Sequence, residues 1–116
     1  MKIALDAMGG DFAPKVTVEG AVLALREYRE ITRLHLVGDS KRIESILNAA
    51  GCNDSRIHIV HSTQVVDMAD GAVESVRRKR DSSVSRAVDL VKAGDAQAVV
   101  SAGHTGAAVA ATTIKL

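Results

Sequence analysis

The segment best suited to chemistry is residues 101–106, Ser-Ala-Gly-His-Thr-Gly, which stands between an apolar run and a predicted helix start. Glycines let the backbone approach a ligand closely, and free N–H groups at a helix N-terminus attract anions. Main-chain donors together with Ser101 and Thr105 would suit a phosphate. His104 could donate to an anion or transfer a proton, although a solvated loop histidine is the simpler interpretation. A tight turn without a ligand is the alternative for the whole segment.

A second candidate segment places two carboxylates, Asp6 and Asp11, on either side of the Gly9-Gly10 pair. The carboxylates could orient a substrate, accept a hydrogen bond or bind a metal–phosphate ligand. In the alternative interpretation, Asp6 only ends a strand and Asp11 caps the next helix. The segment lacks the third glycine of GxGxxG and the Gly-Lys-Ser/Thr ending of a P-loop. It therefore carries neither a dinucleotide motif nor a nucleoside triphosphate motif.

A third segment combines four consecutive cations with two serines at a predicted helix start: Arg77, Arg78, Lys79, Arg80, Ser82 and Ser83. Cations beside a helix N-terminus suit an acidic group, so an anionic substrate or an acidic protein could dock here. A solvated charged turn is the alternative. Nucleic acid is not an expected partner, because the net charge is only +1 and aromatic residues make up 2% of the chain.

Composition limits the remaining possibilities. One cysteine, Cys52, allows no internal disulfide and no cysteine zinc cluster, and the other histidines (His35, His58 and His61) show no metal-ligand spacing. We therefore expect no metal and no cofactor. The N-terminus does not resemble a signal peptide, and no apolar run approaches the ~18 residues of a membrane span. These features favour a cytoplasmic location.

The elements that must position these segments follow from the hydrophobic pattern. Strands are predicted at residues 2–6, 33–38, 56–60 and 96–101, with helices at 15–28, 40–50, 72–79, 83–94 and from 107 onward. This alternation predicts a single α/β domain over residues 1–116, an open, mostly parallel sheet with helices on both faces. The expected strand order is 3-2-1-4, which brings the loops at 7–14 and 102–106 together at the switch point. The fourth strand is apolar on both faces, which predicts a buried central position.

The same segments resemble bacterial phosphate acyltransferases of the PlsX type. Residues 6–14, Asp-Ala-Met-Gly-Gly-Asp-Phe-Ala-Pro, are similar to the opening signature of that family. Residues 79–83 are similar to its K-K-x-S-S segment, residues 100–107 to its V/I-S-A-G-N-T-G-A segment, and residues 37–39 to the end of its second strand. Each match alone is weak, but together, in the family order and across the whole chain, they are specific.

The resemblance implies an enzyme that transfers a fatty acyl group from acyl carrier protein to inorganic phosphate, giving acyl phosphate for phospholipid synthesis. It implies a three-layer α/β/α fold like that of isopropylmalate dehydrogenases, and a cytoplasmic homodimer in peripheral contact with the membrane. Phosphate or thioester-oxyanion binding would fall to Ser101, Gly103, His104, Thr105 and Gly106. Asp6, Gly9, Gly10 and Asp11 would line the cleft, with Lys79, Ser82 and Ser83 as further substrate ligands. Arg77, Arg78 and Arg80 would contact the carrier protein, and no nucleophilic side chain is expected.

Two departures from the family pattern stand out. His104 occupies a position where the family usually has Asn, and family members are about three times as long. The chain thus corresponds to the N-terminal portion of a longer acyltransferase, and little activity is expected of these residues alone. Two other functions stay open: a noncatalytic module that binds anions or acyl carrier protein, and a Rossmann-like nucleotide-binding oxidoreductase domain. The missing GxGxxG motif disfavours the oxidoreductase.

Overall fold

The computed structural model describes all 116 residues, and short strands alternate with helices along the whole chain. The strands are rich in branched apolar residues, and the longer helices carry one apolar stripe each. In chain order the elements are β1 (Lys2–Asp6), α1 (Lys15–Glu27), β2 (Arg33–Gly38), α2 (Ser40–Ala49), β3 (Ile57–His61), α3 (Ala72–Arg78), α4 (Ser83–Lys92), β4 (Ala98–Val100) and α5 (Thr105–Lys115).

The four strands form one sheet in the order β3-β2-β1-β4, and every pair is parallel. The predicted order is therefore confirmed. Ile3 of β1 lies opposite Leu34 on one side and Ala98 on the other. Since parallel strands end at the same edge of a sheet, the loops that follow β1 and β4 leave the sheet side by side.

Helices cover both faces of the sheet, as the alternation of elements predicts. Leu34 and Leu36 of β2 point to one face, where they pack with apolar residues of α1 and α2. Val37 of the same strand points to the other face and clusters with Ala4 of β1 and Ala87 of α4. The fold is thus a three-layer α/β/α arrangement.

Two helices extend the layer that contains α4. A small apolar cluster joins α3, α4 and α5 through Val76, Val88 and Ala111. This packing fixes the start of α5, which carries one of the predicted site segments. None of the helices combines the length and the apolar character that crossing a bilayer requires.

The prediction for the fourth strand was wrong in one respect. β4 has three residues, Ala98–Val100, and it lies at an edge of the sheet, where it pairs with β1 alone. Val100 is 50% exposed. A run of apolar residues does not show whether a strand is central or at an edge of the sheet. Helices and loops can cover the faces of either kind of strand.

The helix starts show which polar residues have structural roles. Asp39 caps α2 by accepting from the N–H groups of Lys41 and Arg42. Helix α1 begins after Pro14 without a side-chain cap, so the alternative in which Asp11 caps this helix was wrong. Asp11 is exposed and is left available at the edge of the sheet.

Candidate functional site

The two glycine-containing loops are joined by a buried carboxylate. Asp6 ends β1 and is 3% exposed. Its Oδ2 accepts from the hydroxyl of Ser101 at 2.9 Å, and its Oδ1 accepts from the N–H of Met8 at 3.1 Å. The Ser101 oxygen in turn accepts from the N–H of Gly103 at 3.2 Å. Because a buried carboxylate is stable only when it is hydrogen-bonded, this network holds the loops after β1 and β4 in one arrangement.

Glycine is required where the two loops touch. A Cβ atom on Gly9 would lie 2.8 Å from Asp6 Oδ2 and 2.8 Å from the amide nitrogen of Gly103. Both distances are too short for carbon, and one of the two atoms belongs to the backbone. Gly10 has a φ of 105°, which other residues rarely adopt. The Gly9-Gly10 pair therefore allows the close approach and the turn that follows it.

The N-terminus of α5 presents open donors beside this network. The amide N–H groups of Thr105 and Gly106 donate to no acceptor in the protein. Both stand in the first turn of a helix that runs from Thr105 to Lys115, where the helix dipole favours an anion. The N–H of Ala107 is already satisfied by the side chain of His104. Two adjacent main-chain donors remain for a ligand.

His104 has a structural role that the sequence did not indicate. Its Nδ1 accepts from the N–H of Ala107 at 3.0 Å, which makes His104 the N-cap of α5. Its Nε2 lies 2.8 Å from the carbonyl oxygen of Asp70. Since Nδ1 acts as an acceptor, the proton is assigned to Nε2, and the ring is a neutral imidazole that donates to Asp70. Both nitrogens are engaged within the protein, so this is not a solvated loop histidine.

Lys79 also bonds within the protein. Its Nζ donates to Asp70 Oδ2 at 2.7 Å and to the carbonyl oxygen of Val65 at 2.8 Å. The hydrogen bond from Lys79 lowers the pKa of Asp70, and the same bond raises the pKa of Lys79. Lys79 therefore fastens residues 65–70 to the end of α3. Two of the three N–H donors of its ammonium group are engaged in these bonds.

The two serines of the third segment are buried. Ser82 is the N-cap of α4 and accepts from the N–H of Ser85 at 3.2 Å. The N–H of Ser83 donates to the carbonyl oxygen of Gln64 at 3.0 Å, beside a parallel bridge between Gln64 and Ser82. Neither serine lines the cleft described below. Their positions attach the segment after β3 to the start of α4.

The arginines of the basic run lie on the surface. Arg77 and Arg80 are exposed and form no ion pair with a carboxylate. Arg78 pairs with Glu74 at 3.0 Å, one turn earlier in α3. This pair is exposed and contributes little to stability. Arg77 and Arg80 are thus the two cations of the run that stay available to a partner.

The loops enclose one side of a cleft of about 300 Å³ at the carboxyl edge of the sheet. Its lining residues come from three loops: Met8, Gly10, Asp11, Val65, Val66, Asp67, Met68, Ala102, Gly103 and His104. The predicted residues that line it are Gly10, Asp11, Gly103 and His104. The other predicted residues lie outside its lining: Asp6, Gly9, Lys79, Ser82, Ser83, Ser101, Thr105 and Gly106. Sequence reasoning missed Met8 and the segment at 65–68. The only sequence signal for residues 65–68 is the apolar pair Val65-Val66, in a stretch with neither helical nor strand periodicity.

A larger depression, of about 510 Å³, lies beside the edge strand β3 and includes Cys52. Its ionic group Asp54 is already paired with Arg56 at 2.7 Å, and this pairing lowers the pKa of Asp54. It has no open main-chain donors at the start of a helix. No three or more His, Cys, Asp or Glu side chains are grouped so that they could hold a metal ion. The cleft at the carboxyl edge is the candidate site.

Comparison with known proteins agrees with the resemblance seen in the motifs. A phosphate acyltransferase of Akkermansia muciniphila is 51% identical over 116 residues, which are 100% of this chain and 33% of that protein. A phosphate acyltransferase of Geobacter sulfurreducens is 50% identical over 111 residues, 96% of this chain and 32% of that protein. One from Clostridium botulinum is 44% identical over the full chain and 34% of its own length. The chain spans about a third of the length of these curated relatives.

A family model described as "Fatty acid synthesis protein" matches residues 1–116. The match includes both loops of the cleft, the Asp6–Ser101 network and the start of α5. Because the family model covers every residue from the first strand to the last helix, this chain belongs to the fatty acid synthesis protein family.

Proposed function

We propose that this chain forms the phosphate-binding part of an acyltransferase that moves a fatty acyl group from acyl carrier protein to inorganic phosphate. A phosphate oxygen attacks the thioester carbonyl, the new C–O bond forms, the C–S bond breaks, and the carrier thiolate takes up a proton. The products are acyl phosphate and the free carrier thiol. The observation that carries the proposal is the pair of open N–H groups on Thr105 and Gly106 at the start of α5.

The electrostatics of the site support an anionic substrate. The open N–H groups and the dipole of α5 supply positive potential without a mobile cation, and they need no reorganisation when the substrate arrives. The carboxylate of Asp6 is bonded to Ser101 and Met8, so it positions the loops and does not contact the anion. The nucleophile is phosphate itself, which requires orientation and charge compensation more than a covalent intermediate. The names of the relatives support the same reaction.

The reaction is tested with the intact gene product, acyl carrier protein thioester and inorganic phosphate. Acyl phosphate is measured as radiolabelled phosphate that enters the acyl product, and release of the carrier thiol is measured in the same samples. Equal amounts of both products, dependent on phosphate, are expected. Thiol release without acyl phosphate would indicate a hydrolase, and no reaction with any acyl carrier thioester would contradict the proposal.

A matched pair of threonines tests the site. Thr105 stands at the start of α5, and Thr113 is an exposed residue near its other end. A hydrogen bond to a charged group is worth about 1.5–3 kcal/mol, so Thr105→Val should raise the KM for phosphate about 10- to 100-fold if its hydroxyl joins the open N–H groups. Thr113→Val should leave that KM unchanged.

The acyl donor would dock on the basic surface formed by the end of α3 and the residues that follow it. We assign this contact to Arg77 and Arg80, since neither forms an ion pair within the protein. Charge reversal of both to Glu should raise the KM for the acyl carrier protein at low salt and should reduce its salt dependence. Charge reversal of Arg29 and Arg33, exposed residues outside α3, is the control. Binding of the carrier without any turnover would favour a noncatalytic module.

We also propose, from the family resemblance, that the intact protein forms a homodimer in the cytoplasm and contacts the membrane peripherally. Sedimentation equilibrium of the intact gene product should give twice the mass of one chain. Cell fractionation should recover it in the soluble fraction and, at low salt, partly with membranes. A monomer, or a form released only by detergent, would contradict these assignments.

A further inference from the structure

The cleft also contains apolar lining residues to which the proposed phosphate binding assigns no role. They are Met8, Val65, Val66 and Met68. The side chain of Met68 is 72% exposed, and Val65 is also exposed. Scattered apolar residues on a surface are ordinary, whereas four of them in the lining of one cleft, here called the apolar wall, offer apolar surface to a ligand. The carboxylates of Asp11 and Asp67 also line this cleft. The apolar wall suits an apolar ligand.

Gly103 and His104 also line this cleft, and the open N–H groups of Thr105 and Gly106 follow directly in the chain, next to the lining residues. A ligand with an anionic head and an apolar tail would therefore meet complementary groups at both ends. A volume of about 300 Å³ is at the lower end of the ~300–1,000 Å³ range of ligand pockets. The cleft can hold the part of such a tail nearest to the head group.

We propose that Met8, Val65 and Met68 receive the first part of the alkyl chain of the acyl substrate and make the site selective for long chains over short ones. This inference rests on the proposed function and assigns the residues that would determine acyl-chain specificity. Methionine suits the task, because its unbranched, polarizable side chain adapts to ligands of different length. Each methylene that leaves water against such a wall contributes about 0.8 kcal/mol to binding.

Hydrogen bonds hold the 65–70 segment, which supplies three of the four apolar residues, in place. Lys79 donates to the carbonyl oxygen of Val65 and to Asp70, and His104 donates to the carbonyl oxygen of Asp70. The two ends of the 65–70 segment are therefore attached to α3 and to the start of α5. His104 caps the helix that would hold the phosphate and contacts the segment that would hold the alkyl chain. His104 thus connects the start of α5 to the 65–70 segment.

The methionines provide a direct test, because the chain contains three: Met1, Met8 and Met68. Met1 precedes β1 at the opposite edge of the sheet and serves as an internal control. The chain is labelled with 13C at the methionine methyl groups and with 15N, then titrated with decyl phosphate below its micellar concentration or with inorganic phosphate. The methyl signals of Met8 and Met68, assigned with Met→Leu variants, should shift with decyl phosphate and not with inorganic phosphate. Met1 should shift with neither.

The outcomes separate this inference from the proposed function. If decyl phosphate shifts the amide signals of Thr105 and Gly106 but neither Met8 nor Met68, the role of the apolar wall is overturned and the phosphate site stands. If neither ligand shifts those amides, both fail. Shifts at Met1 equal to those at Met68 would indicate nonspecific detergent binding and would also overturn the inference.

Variants of the intact gene product test specificity. Met68→Ala should lower the ratio of kcat/KM for a 12-carbon acyl donor to that for a 2-carbon donor about five- to tenfold. Met68 is exposed, so its truncation should leave folding intact, and circular dichroism checks this. Leu23→Ala removes a similarly exposed apolar side chain from α1 and should leave the ratio unchanged. An unchanged ratio in Met68→Ala and in Met8→Ala would overturn the inference.

Discussion

Replacing Gly9 by alanine should disrupt the candidate site, because the loops after β1 and β4 touch at this residue. The new Cβ would lie 2.8 Å from both Asp6 Oδ2 and the amide nitrogen of Gly103, about 0.6 Å or more inside ordinary carbon contact distances. Asp6 cannot move away without breaking its bonds to Ser101 and Met8. The loops after β1 and β4 would therefore separate. Gly20 offers a control, since a Cβ there meets no atom within 4 Å.

The two substitutions should change stability in opposite directions. Overpacking a closely packed site typically costs about 1–3 kcal/mol. Gly20 lies inside α1, where replacing glycine by alanine stabilises a helix by about 1 kcal/mol. The unfolding free energies of the two variants should thus differ by about 2–4 kcal/mol. With a urea m-value of about 1–3 kcal/mol/M, their midpoints should differ by on the order of 1 M.

Urea unfolding followed by circular dichroism measures the stability difference. Titration with inorganic phosphate, followed at the amide signals of Thr105 and Gly106, measures the site. Gly9→Ala should lose the phosphate-dependent shifts at concentrations that saturate the original chain, whereas Gly20→Ala should retain them. Equal midpoints for the two variants, or unchanged phosphate binding in Gly9→Ala, would refute the argument that close contact between the loops builds the site.

The other predictions concern the polar groups around the cleft. Because the hydrogen bond from Lys79 lowers the pKa of Asp70 from its ordinary value of 3.8, this pair stabilises the fold above that value and stops doing so as pH falls through the lowered pKa. The stability difference between the original chain and Asp70→Asn should therefore be large at pH 7 and vanish in strong acid, and a constant difference would contradict it. Ser82→Ala should destabilise by about 0.5–2 kcal/mol through loss of the α4 cap, and Ser83→Ala, whose hydroxyl caps nothing, by less in the same urea titration. His104→Ala should lose about 1 kcal/mol of stability, and His104→Asn should recover most of it because Asn also caps helices; equal losses would exclude the capping role.

The architecture was predictable because its signals are local. Glycines and capping residues mark the ends of elements, and apolar spacing marks their faces, so the alternation of strands and helices follows from short windows. The order β3-β2-β1-β4 follows from that alternation together with the known preferences of parallel sheets. That order places β4 at an edge, whereas the apolar pattern of its residues suggested a central position. Its residues are apolar on both faces, and that pattern says nothing about how many strands are its neighbours.

The partners of individual side chains were not predictable in the same way. Lys79 and His104 look like ligands for an anion in the sequence, yet both bond to Asp70, nine and 34 positions away. The segment that contains Asp70 has neither helical nor strand periodicity, so its position depends on the fold as a whole. The sequence therefore did not indicate the bonds of Lys79 and His104 to Asp70, whereas the turn at Gly9-Gly10 was evident from its residues.

The bond between Asp6 and Ser101 joins residues 95 positions apart. Closing such a long loop is entropically costly, and pairings of this kind form late and slowly during folding. β2 and β3 can pair earlier, because they are connected by a single short helix. During synthesis on the ribosome, the cleft cannot form until β4 and the start of α5 have left the exit tunnel. Phosphate binding at this site should therefore require that these four strands have paired, and chains that end before β4 should not bind phosphate.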